Sequence, residues 1–521
     1  MALVIAIVYF AVLIFIASMY SRKRVKSAED FANAGGGLGW IMVTFSFVLA
    51  PLGSGHTMSL WEKAAGAGGI TSLLDFTGIG AGAMWWALGA GGVFLPIAML
   101  WMGPLYKKIG QPTAPAALGK IFGKKMGYFH AAFQTMTWTG IGMSELVAIG
   151  TAIYTLCQAS GINLGLYASI ILGFVLIICY VYFGGMLQMA WLNCINAVVM
   201  LGASYAAIAI IAGSYLSDYF GADVGFWAGV KQAYDAAGYS SVLTQTGTIT
   251  QLPIWLSVII PVIVLHTTAG AVSQTMMQPF FAAKSQKDCR KGVFLGCSLN
   301  IMSSLPWIFL GIAAMSIPTI SSVVGANGIE AVPTIAQQGL PIPAIGLLMV
   351  ALLCATLSTG GGVVMANSNV IANDIVIGCN CPDATPEKKL RINKICIIIA
   401  AAIILPGALI MAHEFVFNLF LWVFSFGMPI FVVFIIGYNF KVSRKAAWCT
   451  VIVTYILNCI WTFVDLSPWL GGVWSMNMYI TMVASVILGV VFHLIFKGEP
   501  AWKKTHADII AANDAKEAQV A

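Results

Sequence analysis

The run VLAPLGSGHTMS, Val48–Ser59, lies inside an apolar stretch long enough to cross a bilayer, yet it carries a proline, two glycines and a histidine at its centre. A helix broken at membrane depth frees backbone N–H and C=O groups. In hydrocarbon such groups are tolerated only where protein buries them or where they line a cavity. The break therefore points to a binding site, and the rest of the chain can be read outward from it.

Hydrophobic residues make up 60% of the 521 residues and charged residues 9%, against about 45–50% and about 25% in soluble domains. This composition defines an integral membrane protein. No polar stretch is long enough for a separate soluble catalytic domain, so the chain is not read as an enzyme. A nucleotide-driven pump is excluded by the lack of a G-x-x-x-x-G-K-[ST] loop. The glycine-rich GIGAGAMWWALGAGG (78–92) lies in an apolar run with no strand before it, and reads as close helix packing. The 11 cysteines are mostly scattered through apolar runs, where they behave as small hydrophobes. Cys379 and Cys381 stand alone as a pair, without the further ligands a metal site needs. Segment 3–20 has no basic region before it and is followed by SRKRVK, the pattern of a retained helix rather than a signal peptide.

Apolar runs of about twenty residues number thirteen: 3–20, 38–66, 76–104, 127–156, 162–183, 186–214, 250–282, 292–317, 341–376, 393–413, 415–439, 446–465 and 473–496. Cytoplasmic loops are enriched in lysine and arginine. Alternate loops hold Arg22–Lys26, Lys107–Lys125, Lys284–Lys291, Lys388–Lys394 and Lys441–Lys445. Together with the tail after 496 they contain every one of the 26 basic residues except Lys63 and Lys231. The expectation is a multi-pass protein of the plasma (inner) membrane with its amino terminus outside and its carboxyl terminus in the cytoplasm. The net charge of +7 is then a topology signal and calls for no nucleic-acid partner.

A second interrupted run, 250–282, breaks near Pro261 and at HTTAG, His266–Gly270. It lies five helices after the first. By parity the first broken helix runs inward to outward and the second outward to inward. Two five-helix units of opposite orientation, each opening with a broken helix, are the footprint of a secondary transporter built from inverted repeats. The expected layout is an extra helix at 1–25, a first repeat at 26–214, an extracellular loop at 215–249 and a second repeat at 250–440. Two further helices follow at 441–497, then a charged, alanine-rich tail at 498–521 that is given no role.

At the first break, the half-helix ending near Leu49–Leu52 presents free carbonyls and the half starting near Gly53 presents free N–H groups. The dipoles make the first suited to cations and the second to anions. A small cation needs further hard oxygens, and ALLCATLSTGGG supplies the Ser358 and Thr359 hydroxyls with the Ala355 carbonyl one turn earlier.

The chain resembles the sodium:solute symporter family, which includes the bacterial proline, pantothenate, sialic acid and sodium–glucose carriers. The likeness rests on three stretches. SAEDFANAGGGLGW leads into the first broken helix, QPFFAAKS (Gln278–Ser285) follows the second, and ATLSTGGGVVMANSNVIANDI places Asp374 at the family's spacing from Ser358. The resemblance implies a leucine-transporter-like fold of ten core helices, with one helix before and two after. It also implies a sodium site formed by carbonyls around Leu49 and Leu52 with Ala355, Ser358 and Thr359. The departures are informative too. Asn193 stands where the family commonly has an aspartate, and Gly361 and Gly362 stand where members with a second sodium site have serines. Gly36 and Pro279 replace two arginines. Gly80 and Ala83 fall where the glucose carriers have polar contacts, which argues against a sugar.

Glu145 occupies a position where the family usually has glutamine, deep in an apolar run, and an ionisable group there is a functional candidate. It is a candidate to pair a cationic solute group, to take a coupling proton, or to replace the acid missing at 193. His56 and His266 lie at the two breaks, where a histidine can donate to a carboxylate or titrate. Trp85, Trp86, Trp138 and Trp422 lie mid-span, where aromatic faces suit an ammonium. The sequence thus points to an all-α membrane symporter of about thirteen helices, acting as a monomer by alternating access. Sodium drives it, no organic cofactor is involved, and the solute binds near Gly53, Ser54, His56, Thr57, Trp138, Glu145, His266 and Thr267. A half-helix amino terminus for a carboxylate, with aromatic residues for an amine, favours an amino acid, betaine or similar zwitterion. A proton-coupled carrier using Glu145 is the alternative, and a channel is disfavoured by the lack of a filter-like sequence.

Overall fold

The computed structural model describes residues 2–50, 52–64, 102–103, 105–106, 108–221, 223–236, 270–315, 340–413, 425–440, 442–464, 466–470 and 477–503, with isolated positions 260, 268, 507 and 511. Among these the chain is helical, with two isolated bridges as the only extended pairings. Among the described residues, eight helices are long and apolar enough to cross a membrane. Run 76–104 lies outside the described residues except at its end, as do Pro261, His266 and Thr267 at the second break.

Helix α1 spans Ala2–Arg22. A short helix α2, Ala28–Asn33, follows, and its start explains the SAED motif. The Ser27 hydroxyl accepts from the Asp30 N–H at 3.0 Å while the Asp30 carboxylate accepts from the Ser27 N–H at 2.9 Å, a reciprocal capping box. The first broken helix is α3, Trp40–Leu49, and α4, Met58–Ala64, with a tight turn at Ser54–His56 between them. Next come α5, Ala114–Phe122, capped by Thr113, then α6, Lys124–Ala159, and α7, Leu166–Val181. At 36 residues, α6 is about 54 Å long, well beyond the roughly 30 Å hydrocarbon core.

Helix α8, Gly185–Ile210, continues through a wide turn at Ile211–Tyr215 to Phe220. It thus runs past 214, where the sequence placed the start of a loop. One wider turn absorbs Gly213 without ending the helix. The expected loop also holds a helix, α9, at Phe226–Ala236.

The second half contains α10, Gln274–Ala282, α11, Gln286–Met315, and α12, Ile342–Val370, which carries on through Ile371–Ile377 to Asn380. Then come α13, Pro386–Ile410, α14, Gly427–Phe440, α15, Arg444–Phe463, and α16, Asn477–Ile495. Helix α12 packs along both α6 and α8, and α3 packs along α11. From Leu348 to Val370 almost every α12 residue is buried, as expected of a helix that is apolar all round and surrounded by others.

One backbone contact bears directly on the inverted repeat. The Leu38 N–H donates to the Ala282 carbonyl at 2.9 Å and the Lys284 N–H donates to the Leu38 carbonyl at 2.8 Å. The residues just before the first broken helix therefore lie against those just after α10. The start of the first broken helix and the end of α10 are thereby held together, which ties the first half of the chain to the second.

The first residues of the tail are docked on the helices. The Ala501 N–H donates to the Val442 carbonyl at 3.0 Å and the Ser443 hydroxyl donates to the Phe496 carbonyl at 2.7 Å. Trp502 is buried, edge-on to Phe434 with ring centres 5.7 Å apart.

Candidate ion and solute site

The break opens at Leu49 because Pro51 cannot donate a helical hydrogen bond and the Gly53 that follows adopts a backbone conformation outside the helical region. Its two ends are met by different chemistry.

At the carbonyl end, the Thr359 hydroxyl donates to the Leu49 carbonyl at 2.7 Å and lies 3.3 Å from the Ala355 carbonyl. The Ser358 hydroxyl donates to that same Ala355 carbonyl at 2.6 Å. Four neutral oxygens, from residues up to 310 positions apart, are thereby gathered on one side of the break. All four residues are buried. Leu52 is buried too, and its N–H donates to the Leu49 carbonyl at 3.2 Å. The sequence missed Asn300 on α11, whose side-chain amide donates to the Val48 carbonyl at 3.3 Å. An isolated asparagine in an apolar run gave no indication of which partner it would find.

At the amide end, the Ser54 N–H lies 2.9 and 2.8 Å from the two carboxylate oxygens of Glu145, and the Ser54 hydroxyl donates to one of them at 2.8 Å. Ser144 Oγ lies 3.1 Å from Ser54 Oγ. Glu145 is completely buried. A Cβ added at Gly53 would overlap this carboxylate and force it to move, and one added at Gly360 would lie in tight contact, 3.3 Å, with the Glu145 Cβ. Thr57 folds back, its hydroxyl donating to the Gly53 carbonyl at 3.0 Å. The sequence reading assigned these free N–H groups to a solute carboxylate. In the structure the protein's own glutamate holds the Ser54 N–H.

Trp138 is buried on α6, seven residues before Glu145. That spacing puts the two on one helix face, two turns or about 10 Å apart. His56 contributes backbone to the turn at the break. His266, Thr267, Trp85, Trp86 and Trp422 lie outside the described residues.

Asn193 does not stand free in place of the missing acid. Its carbonyl oxygen accepts from the Tyr180 hydroxyl at 2.8 Å, which accepts from Asn196 at 2.9 Å, and Asn196 accepts from Tyr9 of α1 at 2.8 Å. Gly361 lies beneath this tyrosine: an added Cβ would sit 2.8 Å from the ring. The glycine is thus explained by packing, and Glu145 is directed to Ser54 and not to residue 193.

At the far end of α12, Asp374 is buried and accepts from the Thr113 hydroxyl at 3.0 and 2.8 Å. The Thr113 oxygen also caps α5, accepting from the Ala116 N–H at 3.1 Å. Two cavities, of about 800 and about 400 Å³, flank this link and share Gln111 and Asn373.

A broken helix met at its carbonyl end by the hydroxyls of an intact helix from the other half of the chain is the arrangement expected of a secondary transporter. The model of the sodium:solute symporter family matches residues 31–454, and the chain belongs to that family. It is a membrane transporter and not an enzyme. A sodium/glucose cotransporter from Vibrio parahaemolyticus is 25% identical over 436 residues, covering 76% of this chain and 72% of the relative. Among solved structures, a Na+-coupled sialic acid symporter in a substrate-bound outward-open state superposes with a TM-score of 0.74 at 18% identity, covering 96% of this chain and 98% of the other. A nucleobase-cation-symport-1 family transporter in a closed conformation gives 0.56 at 13% identity over 92% and 97%. The fold is the leucine-transporter-like one.

Proposed function

We propose that the protein couples the entry of sodium to the uptake of a small organic solute by alternating access. The observation that carries this reading is the Thr359 hydroxyl set between the Leu49 and Ala355 carbonyls, with Ser358 beside it. When sodium enters, the two hydroxyls turn their lone pairs toward it, and Leu49, Leu52 and Ala355 contribute carbonyls. The ion then ties the break in the first broken helix to α12, an element of the other repeat. Holding those two together is what favours one access state over the other. An ion moving down about 100 mV gains roughly 2.3 kcal/mol from the potential alone, which supplies uphill work. The sodium coupling named for the related cotransporter and symporter supports the same choice of ion.

The solute binds at Gly53, Ser54, His56, Thr57, Trp138, Glu145, His266 and Thr267, and no organic cofactor takes part. The protein works as a monomer in the plasma membrane with its amino terminus outside. Amino acids and betaines were favoured for two features, a half-helix amino terminus and nearby aromatic residues. The support for the carboxylate feature is weakened by the Ser54–Glu145 contact, and the ammonium feature stands. Gly80 and Ala83 argue against the sugar named for the Vibrio relative.

The test is uptake into proteoliposomes of radiolabelled amino acids, betaines and amines under an inward sodium gradient with the interior negative. Accumulation that requires sodium and is abolished in the Ser358→Ala/Thr359→Ala variant is the expected result. Accumulation driven by a proton gradient alone, and intact in that variant, would move the coupling to Glu145.

A further inference from the structure

Glu145 poses a problem that the sodium reading leaves open. Its carboxylate is completely buried, and its polar partner is the N–H and hydroxyl of one residue, Ser54. Among the described residues it has no ion-pair partner, the ion pair found there being the exposed Lys503–Glu499. The sequence supplies no lysine or arginine between Lys125 and Lys231, so α6, α7 and α8 carry none beyond the start of α6. A charge buried in this way is normally compensated by a partner of opposite sign. Among the described residues the chain supplies none, which leaves the site suited to a partner brought by the solute.

A solute carboxylate is poorly suited to supply it. The donor it would use, the Ser54 N–H, is already spanned by both glutamate oxygens, and a second anion would sit against the first. The carboxylate fills the space that a side chain at residue 53 would need, and the Glu145 Cβ packs against Gly360, so glutamate in this position is packed between the break and α12. A cationic group meets the opposite situation. It finds two carboxylate oxygens, and on the same face of α6 it finds Trp138, whose ring face attracts ammonium groups.

We infer that Glu145 stands in for the carboxylate of the solute, so that the transporter recognises an amine or quaternary ammonium and needs no carboxylate on it. This rests on the proposal that the solute binds at the break. It narrows that proposal from zwitterions to cations: sodium is held by neutral oxygens at the carbonyl end, and the ammonium by Glu145 at the amide end.

The experiment is a thermal-unfolding measurement on purified protein with matched pairs that differ by a carboxylate: choline against glycine betaine, pyrrolidine against proline, isopentylamine against leucine. Each is run in sodium chloride and in potassium chloride. A ligand that binds the folded state must raise its stability. The expected result is a shift, in sodium, from at least one ammonium-only probe that equals or exceeds the shift from its carboxylate-bearing partner. In Glu145→Gln the affinity for that probe should fall at least tenfold, with part of it kept in Glu145→Asp. Shifts confined to the carboxylate-bearing members, no shift with any ammonium probe, or unchanged affinity in Glu145→Gln would each overturn the inference. If the glutamine variant does not fold, the matched pairs on the unmodified protein decide alone. The sodium reading fails separately: an ammonium shift of equal size in potassium would sink it and leave the inference standing, whereas a sodium shift without any ammonium shift would do the reverse.

Discussion

The two ends of the break in the first helix are built on opposite plans. The carbonyl end faces hydroxyls and carbonyls that hydrogen-bond to one another through neutral, exchangeable contacts. The amide end faces a carboxylate that spans the Ser54 N–H and packs against Gly53. Neutral oxygens suit a cation that must arrive and leave in every cycle, because they keep satisfied partners in its absence. A buried carboxylate is costly to leave unpaired, so it suits a permanent structural contact or a partner that binds with the cycle. The break is therefore asymmetric, with one end open to exchange and the other already engaged.

Removing the exchangeable end should have the largest effect. Hydrogen bonds to charged groups contribute about 1.5–3 kcal/mol, so Ser358→Ala and Thr359→Ala should each weaken sodium about tenfold to a hundredfold. The double variant should show no sodium-driven accumulation in proteoliposomes while still folding. Equal sodium affinity in wild type and double variant would erase the contrast between the ends.

The locked end is probed by Gly53→Ala. Its added methyl overlaps Glu145, and overpacking of this kind costs about 1–3 kcal/mol. Lower thermal stability and lost transport are expected, with Gly53→Ala/Glu145→Ala recovering stability without transport. Recovery of both would mean that the glutamate only fills space.

A smaller effect sharpens the comparison from a distance. Thr113→Val removes the cap of α5 and the donor to Asp374, a loss of about 1–2 kcal/mol. Because the link lies at the far end of α12, stability should fall while sodium affinity, read by titration, stays within about twofold. A tenfold change would show that the link and the ion site act as one unit. The smallest effect on binding is expected for Trp502→Ala on the docked tail: thermal stability should fall by about 3–5 kcal/mol with sodium and solute affinity unchanged.

Much of this architecture was legible in the sequence because membrane helices announce themselves. Runs of apolar residues, lysine placement and a matched pair of breaks pointed to the leucine-transporter-like fold, and the first break is found where the sequence puts it, between Leu49 and Met58. Ser358, Thr359 and Ala355 were legible as oxygens on one helix turn. Their meeting with Leu49 rested on the family resemblance, since nothing local links residues 310 positions apart. The Ser54–Glu145 contact was not legible for the same reason. Each residue was singled out by its own oddity, a polar side chain at membrane depth, but a pairing 91 residues apart is fixed by how α6 packs on the break. The reach of α8 to Phe220 was missed because a wide turn carries the helix over Gly213 without a sequence signal. Trp502 was missed because a single buried aromatic in a charged tail has no periodicity to reveal it.

The most direct test of the central claim is a sodium titration of the purified protein in a potassium background, followed by thermal unfolding, with wild type and Ser358→Ala/Thr359→Ala side by side. The account predicts a saturable rise in stability for wild type, reaching about 2.7 kcal/mol at a hundred times the dissociation constant, and none for the variant. A rise of the same size and midpoint in the variant would contradict it.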